Sequence, residues 1–208
     1  WLWSSRHRHR PRTPNIPYLV GTVVHAGLES YYRNDRQLEP ALAGFDLVAA
    51  REYTAFESQW SGQLWDAGGQ IEAAEGIDLG RQMIQNYAIF DQGPNRLEGD
   101  VIGLEEVLTY DLCTSPHIVL SGRIDLRLQR HDGMWVNDHK TAKSHPNFAG
   151  LDVDDQLTGY MFLVWKNHGV IPRGALYNVL LKAIPASPRV LKSRELSKDK
   201  SQKTTHEL

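Results

Sequence analysis

The chain has 208 residues, of which 41% are hydrophobic, with a net charge of -2 and one cysteine, Cys113. This is enough apolar content for one good core, and it excludes a disordered or fibrous chain. A lone cysteine excludes an internal disulfide and any cluster held by several cysteines of this chain, and it fits a reducing cytoplasm.

No apolar run approaches the roughly eighteen residues needed to cross a bilayer, so no membrane association is expected. The arginine- and histidine-rich start lacks the apolar segment and cleavage site of a secretory signal. Residues 1–14 read as a basic arm, flexible in character, in which Arg6, Arg8, Arg10 and Arg12 could meet phosphate or simply be solvated. Trp1 stands where a Met would start a reading frame, and Thr204 to Glu207 has the spacing of a capping box cut short. Together these suggest a chain trimmed at both ends.

Three helices are expected next. Apolar residues recur at helical spacing from Ile16 to Tyr32, with Leu19, Val23, Ala26 and Ser30 on one face and His25 on a neighbouring one. A second helix is expected from about Pro40 to Trp60, with Pro in its first turn and Phe45, Val48, Ala49, Tyr53 and Phe56 as its buried stripe. Gly68 and Gly69 read as a break before a third helix, about Gln70 to Asp91.

From Val101 the pattern alternates and predicts a strand, in which Glu105 and Glu106 project to opposite faces, so at most one can enter a shared site. A hairpin follows over Ser121 to Thr141, with Asp132 and Gly133 as a type I′ turn. That register sets Arg127 opposite Asp138 and Asp125 opposite Lys140, with all four on one face and Ile124, Leu126, Leu128 and Trp135 on the other. Two carboxylates beside a lysine suit metal-dependent phosphodiester hydrolysis, with oxygen ligands for Mg²⁺ or Mn²⁺ and an ammonium to orient water or stabilise developing charge. The same residues also read as cross-strand ion pairs on a solvated sheet face.

Residues 142–150 have turn composition and could lie over a site. Asp152 to His168 reads as a helix with acids in its first turn and Gly169 just past its end. Gln156 and Tyr160, four apart, share a face of it. Ala175 to Lys182 reads as a last strand, and the tail from Ser187 as irregular. The order is that of an α/β fold whose helices come mainly from the N-terminal half.

Gly122 to Asp125, then Asp138 to Thr141, then Gln156 and Tyr160, resemble the PD-(D/E)XK nuclease superfamily, most closely its RecB-type exonuclease branch and related phage-encoded nucleases. Leu79 to Met83 with Tyr87, Gly174 to Asn178, and Leu196 to Lys200 are also similar to phage members. The resemblance implies a restriction-endonuclease-like core, a central mixed sheet flanked by helices, with residues 15–208 as one nuclease domain. It implies metal binding by His25 (in Gly21-x-x-x-His25), Asp125, Asp138 and the backbone carbonyl of His139. Lys140 would serve catalysis with the two aspartates, Gln156 and Tyr160 would position DNA, and Glu105 is a further candidate.

The implied cofactor is Mg²⁺ or Mn²⁺ without an iron-sulfur cluster, since Cys113 cannot supply four thiolates. The implied activity is hydrolysis of DNA, single-stranded or at duplex ends, leaving 5′-phosphate and 3′-hydroxyl ends. The setting would be the cytoplasm of a bacterial host, with the chain phage-encoded and phage or host recombination proteins as partners. Two other readings stand beside it: a nuclease-like module that binds DNA or a partner without cutting, and an enzyme acting on RNA.

Overall fold

A computed structural model of the chain describes residues 15–60, 67–94, 96–144, 155–183, 191–193 and 195. The basic arm, the turn segment over 145–150, Leu196 to Lys200 and the terminal capping box lie outside the described residues.

The first helix, α1, spans Ile16–Arg33. Asn15 caps it, its side chain accepting from the Tyr18 amide, and Pro17 takes a first-turn position where no intrahelical N–H is needed. The second, α2, spans Leu38–Trp60, and the third, α3, Ala67–Asp91. Gly68 and Gly69 thus sit within the first turn of α3 rather than ahead of it. The strands are β1 (Asp100–Thr114), β2 (His117–Arg130) and β3 (Gly133–Ala142), followed by helix α4 (Asp155–His168) and strand β4 (Gly174–Leu181). Gly169, at φ 72°, stops α4 as its position predicts.

The strands form one mixed sheet in the order β1-β2-β3-β4, antiparallel except for the parallel pair β3 and β4. Its two faces bury different clusters. Leu126, Leu128 and Leu180 pack with Val23, Val24, Leu28, Phe45 and Ile84 from the three N-terminal helices. Ile124 and Val136 pack with Val164 of α4. Among the described residues, helices therefore cover both faces of the sheet.

The hairpin register corrects the sequence reading. Arg130 pairs with Gly133, leaving His131 and Asp132 as the two-residue loop, and Arg127 faces Val136 rather than Asp138. Gly133, at φ 132°, adopts a backbone that favours glycine, and Trp135 Nε1 donates to Asp132 Oδ1 at 2.9 Å, tying the turn to β3. Partners shift by two residues, which preserves the facing of side chains in the paired part.

A second correction concerns Ile124, which is buried in the α4 cluster and not with Leu126 and Leu128. Pairing of β1 with β2 runs Leu104 to Leu126 and resumes at Glu106 to Ile124, and Glu105 between them has φ 49°. This local kink breaks the two-residue alternation on both strands, so Leu104 and Leu126 face the N-terminal helices while Glu106 and Ile124 face α4.

Candidate active site

The sheet forks at its centre. Pairing of β2 with β3 ends at Leu126 and Asn137, whereas β2 continues along β1 and β3 continues along β4 as far as Ala142. Asp125 and Asp138 are the next residue on each branch. Where another ladder bond would lie, the His139 amide donates to Asp125 Oδ2 at 2.8 Å.

His25 projects from the middle of α1, with Nδ1 3.6 Å from Asp125 Oδ2. Glu105 reaches the same point through its kink. One ligand atom each from His25, Glu105 and Asp125 lie within 4.8 Å of one another. That approaches the spread of ligands on a common centre, since metal–oxygen distances for Mg²⁺ are about 2.1 Å.

The electrostatics fit a cation. Burial pushes Glu105 up to about 7, helped by the neighbouring charges of Asp125 and Glu29. Burial also raises Asp125, against the opposing pull of His25 and the His139 N–H. Two crowded carboxylates and an imidazole are a donor set that a divalent ion would neutralise, so these residues fit the metal their chemistry implies.

Asp138 is 2% exposed and lies outside that trio. Its Oδ1 accepts from Gln156 Nε2 at 3.2 Å, and its Oδ2 pairs with Lys140 Nζ at 3.0 Å without hydrogen-bond geometry. Burial raises its pKa, with Asp125 adding to the effect and Lys140 opposing it. Lys140 Nζ donates to Gln156 Oε1 at 2.9 Å, and Gln156 Nε2 donates to Tyr160 Oη at 2.7 Å. The sequence-predicted residues thus form two adjoining groups: His25, Glu105 and Asp125 against α1, and Asp138, Lys140, Gln156 and Tyr160 against α4.

Neither ion pair of the solvated-sheet reading forms. Arg127 is buried and binds Glu106 through Nε and Nη2, and Lys140 pairs with Asp138 rather than Asp125. Glu106 therefore serves the α4 face, as the opposite facing of the two glutamates requires.

Behind the fork is an aromatic layer that sequence reasoning missed. The His139 ring stacks on Tyr32, with centroids 5.7 Å apart, and meets Tyr87 and His25 edge-on. Asn178 Nδ2 donates to His139 Nδ1 at 2.8 Å and to Tyr87 Oη at 3.0 Å, and the Tyr32 and Tyr87 hydroxyls share a 2.5 Å hydrogen bond. Burial, reinforced by the nearby His25 charge, pushes His139 down to about 3, so it is a neutral spacer at ordinary pH. Asn178 belongs to a motif noted in the sequence, but its role depends on β4 lying beside β3.

A forked mixed sheet carrying paired carboxylates and a lysine, flanked by helices, is the restriction-endonuclease-like α/β architecture. A family model described as the PD-(D/E)XK nuclease superfamily matches residues 1–208. The chain belongs to that superfamily. No curated protein matches the chain. Among the described residues, no helix is long and apolar enough to cross a membrane.

Proposed function

We propose that the chain is a Mg²⁺- or Mn²⁺-dependent deoxyribonuclease, acting as an exonuclease that leaves 5′-phosphate and 3′-hydroxyl ends in phage or bacterial DNA recombination, repair or processing. The observation that carries this reading is the convergence of His25, Glu105 and Asp125 at the sheet fork, next to Asp138 and Lys140. The RecB-type and phage motifs support the finer assignment.

His25, Glu105 and Asp125 would hold the ion, with Asp138 and the carbonyl of His139 as the further ligands the motif implies. A bound divalent cation supplies Lewis acidity, lowering the pKa of water and countering charge on phosphate oxygens. The rest falls to the chain's own groups. The Lys140 ammonium, restrained by Gln156 and Asp138, can hold an attacking water or donate to a phosphate oxygen as its charge grows. Gln156 ties Lys140, Asp138 and Tyr160 into one unit, so substrate contacts on α4 also orient the lysine.

Calorimetric titration with Mn²⁺ tests the metal assignment: the native chain should bind, and Asp125→Asn should bind at least about tenfold more weakly, since even residues that only orient the ligands cost that much. Asp138→Ala should lose cleavage while keeping its fold, and equal activity in that variant would contradict the proposal.

A further inference from the structure

Two cavities meet beside the acid cluster. One, of about 750 Å³, is lined by His25, Glu105 and Asp125. The other, of about 1010 Å³, lies between β2 and α4 and is lined by Gly122, Gln156 and Tyr160. Tyr18 and Arg123 line both, so they mark the passage from one to the other.

Tyr18 stands in the first turn of α1, where its amide is fixed by the Asn15 side chain at 3.1 Å, yet the residue is 72% exposed. Its ring therefore gains little from burial within the fold and keeps a face open to the cavities. Arg123 lies two residues before Asp125. Its side chain is 67% exposed, with Nη1 3.9 Å from Glu105 Oε2, too far for a hydrogen bond, so the guanidinium keeps donors for the groove. Other cations on the first cavity are more committed: Arg51 donates twice to Glu52, and Lys182 Nζ donates to the Pro17 carbonyl at 2.8 Å.

An exposed ring and an available guanidinium at the edge of a metal-ligand cluster match what an unpaired strand offers, namely bare base faces and a phosphate between them. A duplex keeps its base faces stacked inside. We propose that Tyr18 and Arg123 form a single-strand track, Tyr18 stacking on a base and Arg123 holding a flanking phosphate, so that the substrate enters as unpaired nucleic acid. This rests on the nuclease reading above and adds the substrate form and two residues to it.

The test uses the full chain with a fluorescein-labelled oligothymidine and a blunt duplex of equal length, in Ca²⁺, read by anisotropy, beside cleavage in Mg²⁺. Tyr18→Ala should weaken oligothymidine binding by about fivefold or more, Tyr18→Phe should stay near the native value, and duplex binding should be unchanged in both. Arg123→Gln should reduce the slope of log affinity against log salt by about 0.7, one phosphate contact on a single strand. Native cleavage with unchanged oligothymidine binding in Tyr18→Ala, or equal losses on duplex and single strand, overturns the track alone. A native chain that neither binds nor cuts nucleic acid overturns the nuclease reading and the track with it.

Discussion

The backbone N–H of His139 donates to Asp125 Oδ2 at 2.8 Å across the point where β2 and β3 part. One peptide group thus sets the orientation of the carboxylate that also meets His25. That peptide is fixed in turn by its own side chain, wedged against Tyr32 and hydrogen-bonded to Asn178. The buried layer behind the fork therefore governs the geometry of the acid cluster.

Removing one support from behind the fork should therefore reach the site in front. Asn178→Ala deletes one donor to His139 and Tyr87, leaving the Asn137 and Tyr32 contacts, without touching the cavity that holds His25 and Asp125. Mn²⁺ affinity measured by calorimetry is expected to fall by about tenfold, the lower range for residues that orient metal ligands. Native affinity in this variant would show that the peptide holds its place without the ring.

Stability should respond to pH and metal together. Glu105 is raised to about 7 in the folded chain from an ordinary carboxyl value, so the folded state holds this proton more tightly than the unfolded state. Its contribution is complete below the unfolded pKa of about 4.5 and is lost as pH rises through about 7. In EDTA, the melting temperature should fall over that window, and Glu105→Gln should flatten the fall. Saturating Mg²⁺ should raise the native melting temperature more at pH 8 than at pH 5. An unchanged pH profile in Glu105→Gln would contradict this.

Gly122 is where β2 passes beneath α4. A Cβ there would stand 2.8 Å from Tyr160 Cε1 and 2.9 Å from Leu163 Cδ1, both on the packed face of α4. Gly122→Ala is expected to cost about 1–3 kcal/mol, the usual range for overpacking. Because Tyr160 is tied to Gln156, the variant should also lower cleavage beyond its effect on stability. Chemical denaturation and a rate measured well below the melting temperature separate the two effects.

Much of this architecture was legible in the chain. Helical spacing placed α1 and α2 within two residues of their ends, and alternation placed β2 and β3. The Gly169 stop also followed from local rules; Glu105 and Glu106 do face opposite ways, but the kink at Glu105 exchanges the faces that alternation would give them. The register of the hairpin did not, because a glycine beside a turn can serve as the loop or as the first strand residue. Here Gly133 is the latter.

The division of the site was not legible either. Alternation assigns Asp125 and Asp138 to one face, but the sheet forks between them and the kink at Glu105 resets the facing of both neighbouring strands. Arg127 looked like part of a charged face and is instead buried against Glu106. Tyr18 gave no signal beyond an aromatic residue near a helix start. Its interest comes from the meeting of two cavities that are contributed by distant parts of the chain.

Metal-dependent cleavage at the fork is best checked by digestion of end-labelled single- and double-stranded DNA. The reactions contain Mg²⁺, Mn²⁺ or EDTA, with Lys140→Ala run in parallel. Mononucleotides or short oligomers should be released with either metal and none in EDTA, with a loss of at least about a hundredfold in Lys140→Ala, as for removal of a charge-stabilising donor. DNA binding by the native chain without cleavage under any metal condition, or cleavage that persists in EDTA, would contradict metal-dependent cleavage.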